Sequence, residues 1–355
     1  MGYTTARRRT RYGILAAAAA AALVLSGCAG GDAGKVDPTS NGDDAVADLS
    51  GVIRVGYLAT GSSLPLFATA QKYAEEVGIE VEMIEVNSGN ESLTGVATGQ
   101  YDVGFAGIGS AAYNAFDEGL PVRYVAPMHA GYLEDYFIIS SQHAGSAEEA
   151  SELAEDMSHL QGQSFAANAP GVVTEALLGF ALEKVGLSMS EVNLEHIPFP
   201  DQVVALANGG IAGGILSEPF PTQAEENGSG YRPWETPDTE PLPFTGIIYN
   251  SDWADQNPQL ATAFMEAYAM AAADLAENGW NTPEMLDLVE QYTGADPAIV
   301  AASRQHHITA DLSVDLDMVL RYQKFFMEQK SLNYDEIIPE DEIWDFSWRD
   351  AVLGS

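Results

Sequence analysis

The sequence contains one cysteine, Cys28, so a disulfide framework is excluded as the source of its stability. Its six histidines are scattered, with no Cys or carboxylate spacing that would complete a structural zinc site. Positive charge is scarce: 15 Lys and Arg stand against 52 Asp and Glu, a formal net charge of −37. With no basic face to neutralise phosphates, nucleic acid is excluded as a partner. The acidity is broad and not confined to a tail, which fits an external or salty medium where screening makes self-repulsion tolerable. The uncharged run Ile14 to Gly27 has 14 residues, too few to span a bilayer at about 1.5 Å per residue.

That short run has a meaningful setting. Four arginines (Arg7, Arg8, Arg9 and Arg11) precede it, which is the layout of a secretory signal over residues 1–27. The run ends Leu25-Ser26-Gly27-Cys28, which resembles the lipobox of bacterial lipoproteins, where the Cys becomes the acylated first residue of the mature protein. A plain signal peptide with a chance Cys is the alternative. The twin-arginine route stays open beside the general one, although Arg11 stands where that motif has an apolar residue. Residues 28–49, rich in Gly, Asp, Ser and Ala without hydrophobic periodicity, read as a flexible tether. The expectation is an extracytoplasmic protein anchored to the cell membrane by a lipid on Cys28.

The 355 residues, 46% hydrophobic, are more than one core usually absorbs, so two domains are expected. From Gly51 the pattern alternates in the α/β manner. Strands are expected at Val52 to Leu58, Ile79 to Val86, Val103 to Ile108 and Val122 to Met128, with helices at Leu64 to Val77, Glu91 to Ala97 and Ser110 to Glu118. A second series follows: strands Tyr136 to Ser141, Ser164 to Asn168, Leu194 to Phe199 and Ile211 to Leu216, with helices Ala147 to Met157, Gly171 to Val185 and Gln202 to Ala207. Both runs predict mostly parallel sheets. After the proline-rich stretch Pro233 to Pro243 come one more strand, Thr245 to Tyr249, and a helical tail. The tail has no sheet of its own, so lobe one is read as 50–133 with 245–355 and lobe two as 134–244. The chain then crosses between lobes twice, making a two-strand hinge.

One unit recurs. Ala97-Thr98-Gly99-Gln100-Tyr101-Asp102-Val103-Gly104-Phe105 and Ala207-Asn208-Gly209-Gly210-Ile211-Ala212-Gly213-Gly214-Ile215 both read as a helix end, a turn and an apolar strand. With "IRVGYL", "GIEVEMIEVNSGNE", "GVATGQYDVGFAG", "DEGLPVRYVAP", "HLQGQSFAANAPG", "LEKVGL" and "LEHIPFPDQVVALANGGIAGGILSEPF", the chain resembles extracytoplasmic solute-binding proteins of ABC importers. The nearest branch is the nitrate/sulfonate/taurine group and its relatives that bind pyrimidine precursors of thiamine. The resemblance covers Gly51 to Gly230 well and the tail loosely. It implies two doubly wound α/β lobes of the periplasmic binding protein type II kind, with the tail packed on lobe one. It also implies a monomer that closes on a small-molecule solute and delivers it to an ABC transporter permease, with no cofactor and no catalytic or metal-ligating residues.

A ligand trapped between such lobes meets the C-terminal ends of strands and the starts of the following helices, where backbone N–H groups are free. In lobe one the candidates are Thr60, Gly61 and Ser62 after the first strand, with Gly109 and Ser110 after the third. In lobe two they are Ala169, Pro170 and Gly171 with Thr174, and Glu218. Gly61 and Gly109 alternatively serve turns with positive φ, and Ser110 alternatively caps a helix. Glu218 alternatively makes a lobe-closure contact. Asp102 is read as ordering its turn. Tyr57 and Tyr132 lead the aromatic candidates for stacking, with Tyr113, Phe199, Phe220 and Tyr249 behind them; each also suits the core.

Between Tyr136 and Leu242 the only basic residues besides histidine are Lys184 and Arg232, and neither falls at an expected strand end. An oxyanion is usually met by a guanidinium or by helix N-termini. With Glu134, Asp135 and Glu218 placed near the crevice, the expectation is a neutral or cationic solute, heteroaromatic rings included. Adjacent His306 and His307 point about 100° apart on a helix and make a poor metal pair. Two rivals share the fold. One is a pyrimidine-precursor enzyme, for which the chain lacks a Cys-rich segment and a Gly-x-Ser-x-Gly elbow. The other is a receptor that presents its closed form to a sensor protein.

Overall fold

The computed structural model describes Leu49 and residues 51–235, 237 and 240–354. The signal segment, Cys28 and nearly all of the tether lie outside the described residues.

Ten strands form two five-stranded sheets. They are β1 (Val52–Leu58), β2 (Glu80–Val86), β3 (Val103–Gly107), β4 (Val122–Gly131), β5 (Phe137–Ser140), β6 (Ser164–Ala167), β7 (Asn193–His196), β8 (Gly213–Ile215), β9 (Gly230–Tyr231) and β10 (Leu242–Asn250). The first sheet has the order β2-β1-β3-β10-β4 and the second β7-β6-β8-β5-β9. Both belong to one compact unit, Val46–Ser355.

β1 pairs in parallel with β2 and β3, and β6 with β7 and β8. The strand that enters each sheet from the other breaks this regularity. β10 lies antiparallel between β3 and β4, with Ile247 opposite Phe105 on one side and Ala126 on the other. β5 lies antiparallel to β8 and β9. The expected uninterrupted parallel run through β4 is therefore split, because the returning chain takes the slot beside β3. The first crossing carries a short helix, Leu133–Tyr136.

The repeated unit has the same physics in both sheets. Gly99 and Gly209 follow helix ends with φ of 71° and 74°, a left-handed turn that a Cβ would strain. Five residues on, a strand glycine admits a polar side chain from that preceding helix. A Cβ on Gly104 would stand 2.4 Å from Ser92 Oγ, and one on Gly214 would stand 2.7 Å from Gln202 Oε1. Ser92 Oγ accepts the Phe105 N–H at 3.0 Å, and Gln202 Nε2 donates to Ile197 O at 2.8 Å. Asp102 orders its turn by accepting from Arg54 N, Nε and Nη2 at 2.9, 3.0 and 2.7 Å. Ala212 has replaced it in the second copy.

The tail packs mainly on the first sheet. Pro258 opens the long helix Pro258–Asn278, whose alanines and aromatics are buried on several faces. Tyr268 Oη donates to Pro127 O and Tyr249 Oη to Ala261 O, at 2.8 and 2.9 Å. Trp344 stacks on Tyr124 with centroids 4.7 Å apart, and Trp348 meets Tyr249 at 6.0 Å. One tail helix, Leu316–Glu328, also reaches the second lobe. Tyr322 stacks on Phe180 at 5.8 Å, and Phe325 fills the space beside Gly179, whose Cβ would stand 2.3 Å from that ring. Several elements differ from the sequence reading, among them the following. The helix Ala147–Glu152 ends early, and Phe220–Glu226 is a helix behind two prolines.

Candidate functional site

A cavity of about 60 Å³ lies between the two sheets, room for a few water molecules or a compact solute. Lobe one contributes Leu58 at the end of β1, Ser62 beyond it, Gly89 beyond β2, Phe105 and Gly107 of β3, His129 of β4, and Phe244 and Thr245 of β10. Lobe two contributes Asn168 beyond β6, Val172 to Thr174 at the start of the helix Val173–Lys184, Phe199 beyond β7 and Ser217 beyond β8. Parallel strands carry their C-terminal ends to one edge, so strand-end residues of both sheets meet here.

Three phenylalanines supply the apolar walls, and hydroxyls, an amide and an imidazole supply the polar groups. Ser62 Oγ hydrogen-bonds Thr60 Oγ1 at 2.7 Å. Thr174 Oγ1 donates to Asn168 Oδ1 at 2.8 Å, which orients that amide. His129 Nδ1 lies 2.7 Å from Thr245 Oγ1. Burial holds His129 well below the usual histidine range, and His306 adds to the effect, so its ring is neutral. Ser217 Oγ is buried with no hydrogen-bond partner among the described residues.

Around the cavity the lobes touch. Gly171 O accepts the Ala111 N–H at 3.0 Å, and Pro170 O accepts Asn90 Nδ2 at 2.7 Å. A Cβ on Gly109 would stand 2.4 Å from Gly171 O. Near the hinge, Arg304 of the tail donates its backbone N–H to Glu218 Oε1 at 3.2 Å and its Nη1 to Asp135 Oδ1 at 2.5 Å.

Of the residues singled out in the sequence, Ser62 and Thr174 line this cavity, and Thr60 supports Ser62. Gly109, Ser110, Pro170 and Gly171 lie in the lobe seam, with Ala169 half-buried beside them. Neither Gly61 nor Gly109 has a positive φ; Gly171 does, at 71°. Gly109, not Ser110, is the residue at the helix cap. Gly61 and Glu218 line a smaller hollow of about 30 Å³ with Trp280, Arg304 and His306. Tyr57 sits in the lobe-one core, edge-on to Phe67 and Tyr292 at 5.3 and 5.4 Å. Tyr132 packs on the His307 ring at 4.8 Å, by the first crossing. Tyr113 and Tyr249 are fully buried, whereas Phe199 reaches the cavity and stacks on Phe220. His306 is buried against Tyr136, and His307 pairs its backbone with Ala130.

His129, Phe105, Phe244 and Thr245 escaped the sequence reading. His129 and Phe105 stand on strands expected from their apolar pattern, and a histidine near a strand's C-terminal end was the available signal. Phe244 and Thr245 belong to β10, whose place in the sheet depends on a distant pairing.

The acidic crevice expected from Glu134, Asp135 and Glu218 is overturned, because each carboxylate has a cationic partner. Lys184 Nζ reaches Glu134 Oε1 at 2.6 Å, Arg304 takes Asp135, and Arg232 pairs with both Glu218 and Glu225. Burial pushes the Glu218 carboxyl up, while Arg232, Thr222 and the Arg304 N–H pull it down. A cationic solute therefore loses the argument that favoured it.

Comparison with known proteins places these features in context. Residues 50–290 match the sequence profile of the NMT1-like family. No curated protein matches. Among solved structures, the ligand-binding component of an ABC-type import system from Staphylococcus aureus, with zinc bound, is similar with a TM-score of 0.69 and 15% identity, covering 85% of this chain and 98% of that one. A periplasmic nitrate-binding protein from Synechocystis gives a TM-score of 0.68 at 16% identity, covering 85% and 88%. An alkanesulfonate-binding protein from Xanthomonas axonopodis, bound to MOPS, gives 0.60 at 18%, covering 82% and 98%. At these identities the likeness is one of fold.

Proposed function

We propose that this chain, which belongs to the NMT1-like family, is the substrate-binding protein of an ABC importer, capturing a small solute between its lobes and delivering it to the permease. The observation that carries this reading is the cavity walled by strand-end residues of both sheets and ringed by lobe-to-lobe hydrogen bonds. In this reading 50–133 with 245–355 moves as one lobe and 134–244 as the other. The open form admits solute, and closure excludes water around it. Closure is driven by contacts that exist only when both lobes touch the ligand.

The protein acts as a monomer, without catalysing a reaction, and is held outside the cytoplasm by a lipid on Cys28. No helix among the described residues is long and apolar enough to cross a membrane, so in this reading attachment comes from the acylated N-terminus. Several acyl chains at roughly 0.8 kcal/mol per buried methylene suffice for that. The test is a thermal-shift screen against extract of the growth medium and defined solutes, followed by uptake measurements in cells lacking the gene. Saturating solute adds about 2.7 kcal/mol of stability at a hundredfold excess over its dissociation constant. A protein that no extract stabilises, and whose loss leaves uptake of every solute intact, sinks the proposal.

A further inference from the structure

We infer that the solute is uncharged: a compact molecule with an apolar, flat body and at least one hydrogen-bond acceptor, held by Ser217 and Asn168 between Phe105, Phe199 and Phe244. This inference rests on the solute-binding reading and names the chemistry of that same cavity.

Charge decides the matter first. Among the described residues lining the cavity, none is Asp, Glu, Lys or Arg, and the imidazole of His129 is neutral. The charges on Asp135, Glu218, Arg232 and Arg304 are consumed in pairs at the hinge, and Glu175 beside Thr174 is paired with His196. An ion enclosed here has no counter-charge, and desolvating it costs several kcal/mol.

Helix N-termini are the usual way for an anion to escape that cost, and here two of them carry an acidic residue and a third is engaged in the lobe seam. The helix Gly89–Ala97 carries Glu91 in its first turn, and Val173–Lys184 carries Glu175 there, each offsetting the positive end of its dipole. In the helix Ser110–Asp117, the Ala111 N–H goes to Gly171 O and those of Ala112 and Tyr113 go to Gly109 O.

The polar groups that stay available lean towards donation. Ser217 Oγ is more than nine-tenths buried and has no partner among the described residues. An unpartnered buried hydroxyl destabilises the fold, and a ligand acceptor recovers that loss. Asn168 spends Oδ1 on Thr174, which leaves its two Nδ2 hydrogens for the cavity. Carbonyl oxygens or unprotonated ring nitrogens answer such donors, and the phenylalanine walls suit a planar body.

The experiment compares probes of closely matched shape and different charge: acetamide, acetate and acetamidinium, then benzamide, benzoate and benzamidinium, with nitrate and methanesulfonate as further anions. Binding to the full chain in detergent is measured by calorimetry at neutral pH. In at least one series the amide is expected to bind tenfold or more tighter than both charged members, with nitrate and methanesulfonate giving no heat. Ser217→Ala should then weaken the amide tenfold or more at an unchanged melting temperature. A charged member binding as well as its amide, or an amide indifferent to Ser217→Ala, overturns the inference. If medium extract stabilises the protein while neither amide binds, the uncharged-ligand assignment falls and the transport reading stands. If extract fails too, both fall.

Discussion

Arg304 donates its backbone N–H to the Glu218 carboxylate at 3.2 Å, tying the C-terminal tail to the loop after β8. Because Glu218 also pairs with buried Arg232, it works as a joint between lobes. Glu218→Gln leaves buried Arg232 with Glu225 as its one remaining counter-charge, and breaking a buried pair costs up to about 3–5 kcal/mol. Urea denaturation should show a loss of that order. A stability change below about 1 kcal/mol would mean that the pair is solvent-relaxed and the joint unimportant.

Gly109 offers a way to disturb closure alone. Its backbone is extended, with φ of −125°, so alanine is locally acceptable, but the added Cβ would stand 2.4 Å from Gly171 O in the opposite lobe. Gly109→Ala should therefore lower solute affinity by tenfold or more and raise the radius of gyration in small-angle scattering. Its unfolding free energy should move by less than about 1 kcal/mol. An unchanged scattering profile with bound solute would show that the seam does not need this close approach.

Stability should fall as the solution is acidified below neutral. Burial lowers His306 to about 3 and His129 well below 6.5, so the unfolded chain binds protons near pH 6.5 that the folded chain refuses. The contribution is intact above the unfolded value and is lost as pH drops below it, at up to about 1.4 kcal/mol per pH unit for each histidine. Melting temperature at pH 7 and pH 5 checks this, with His306→Gln expected to flatten the slope. A variant as acid-sensitive as the parent would locate the effect elsewhere.

Cys28→Ala should release the exported protein into the medium. Fractionation of cells with an antibody to the folded domain reads this directly. Retention of the mutant at the membrane would count against acylation.

The alternating pattern made most strands and the two-lobe plan legible, because one sheet face and one helix stripe must be apolar. Gly99, Gly209, Gly104 and Gly214 marked the repeated unit for a steric reason that holds in the folded chain. β10 could be located but not its neighbours: a short apolar strand carries no local record of which distant edge it joins. For the same reason Thr245 and Phe244 were invisible as cavity residues. Arg232 looked remote from Glu218, yet the helix Phe220–Glu226 folds the intervening residues back. Pro219 stands at the cap of that helix and Pro221 in its first turn, where proline is tolerated.

The interleaving of β10 between β3 and β4 also fixes an order of assembly. Residues 137–231 supply every strand of the second sheet without a break, so that lobe can form as soon as its own residues have been synthesised. The first lobe, although synthesised earlier, keeps a gap in its middle until Leu242–Asn250 arrives, and only then do Phe105 and Ala126 gain their shared partner. Long-range pairings of this kind slow folding, since loop-closure entropy is lost before any contact repays it. Until β10 arrives, the facing edges of β3 and β4 lack the partner that joins them, and open strand edges are where pairing with another chain competes.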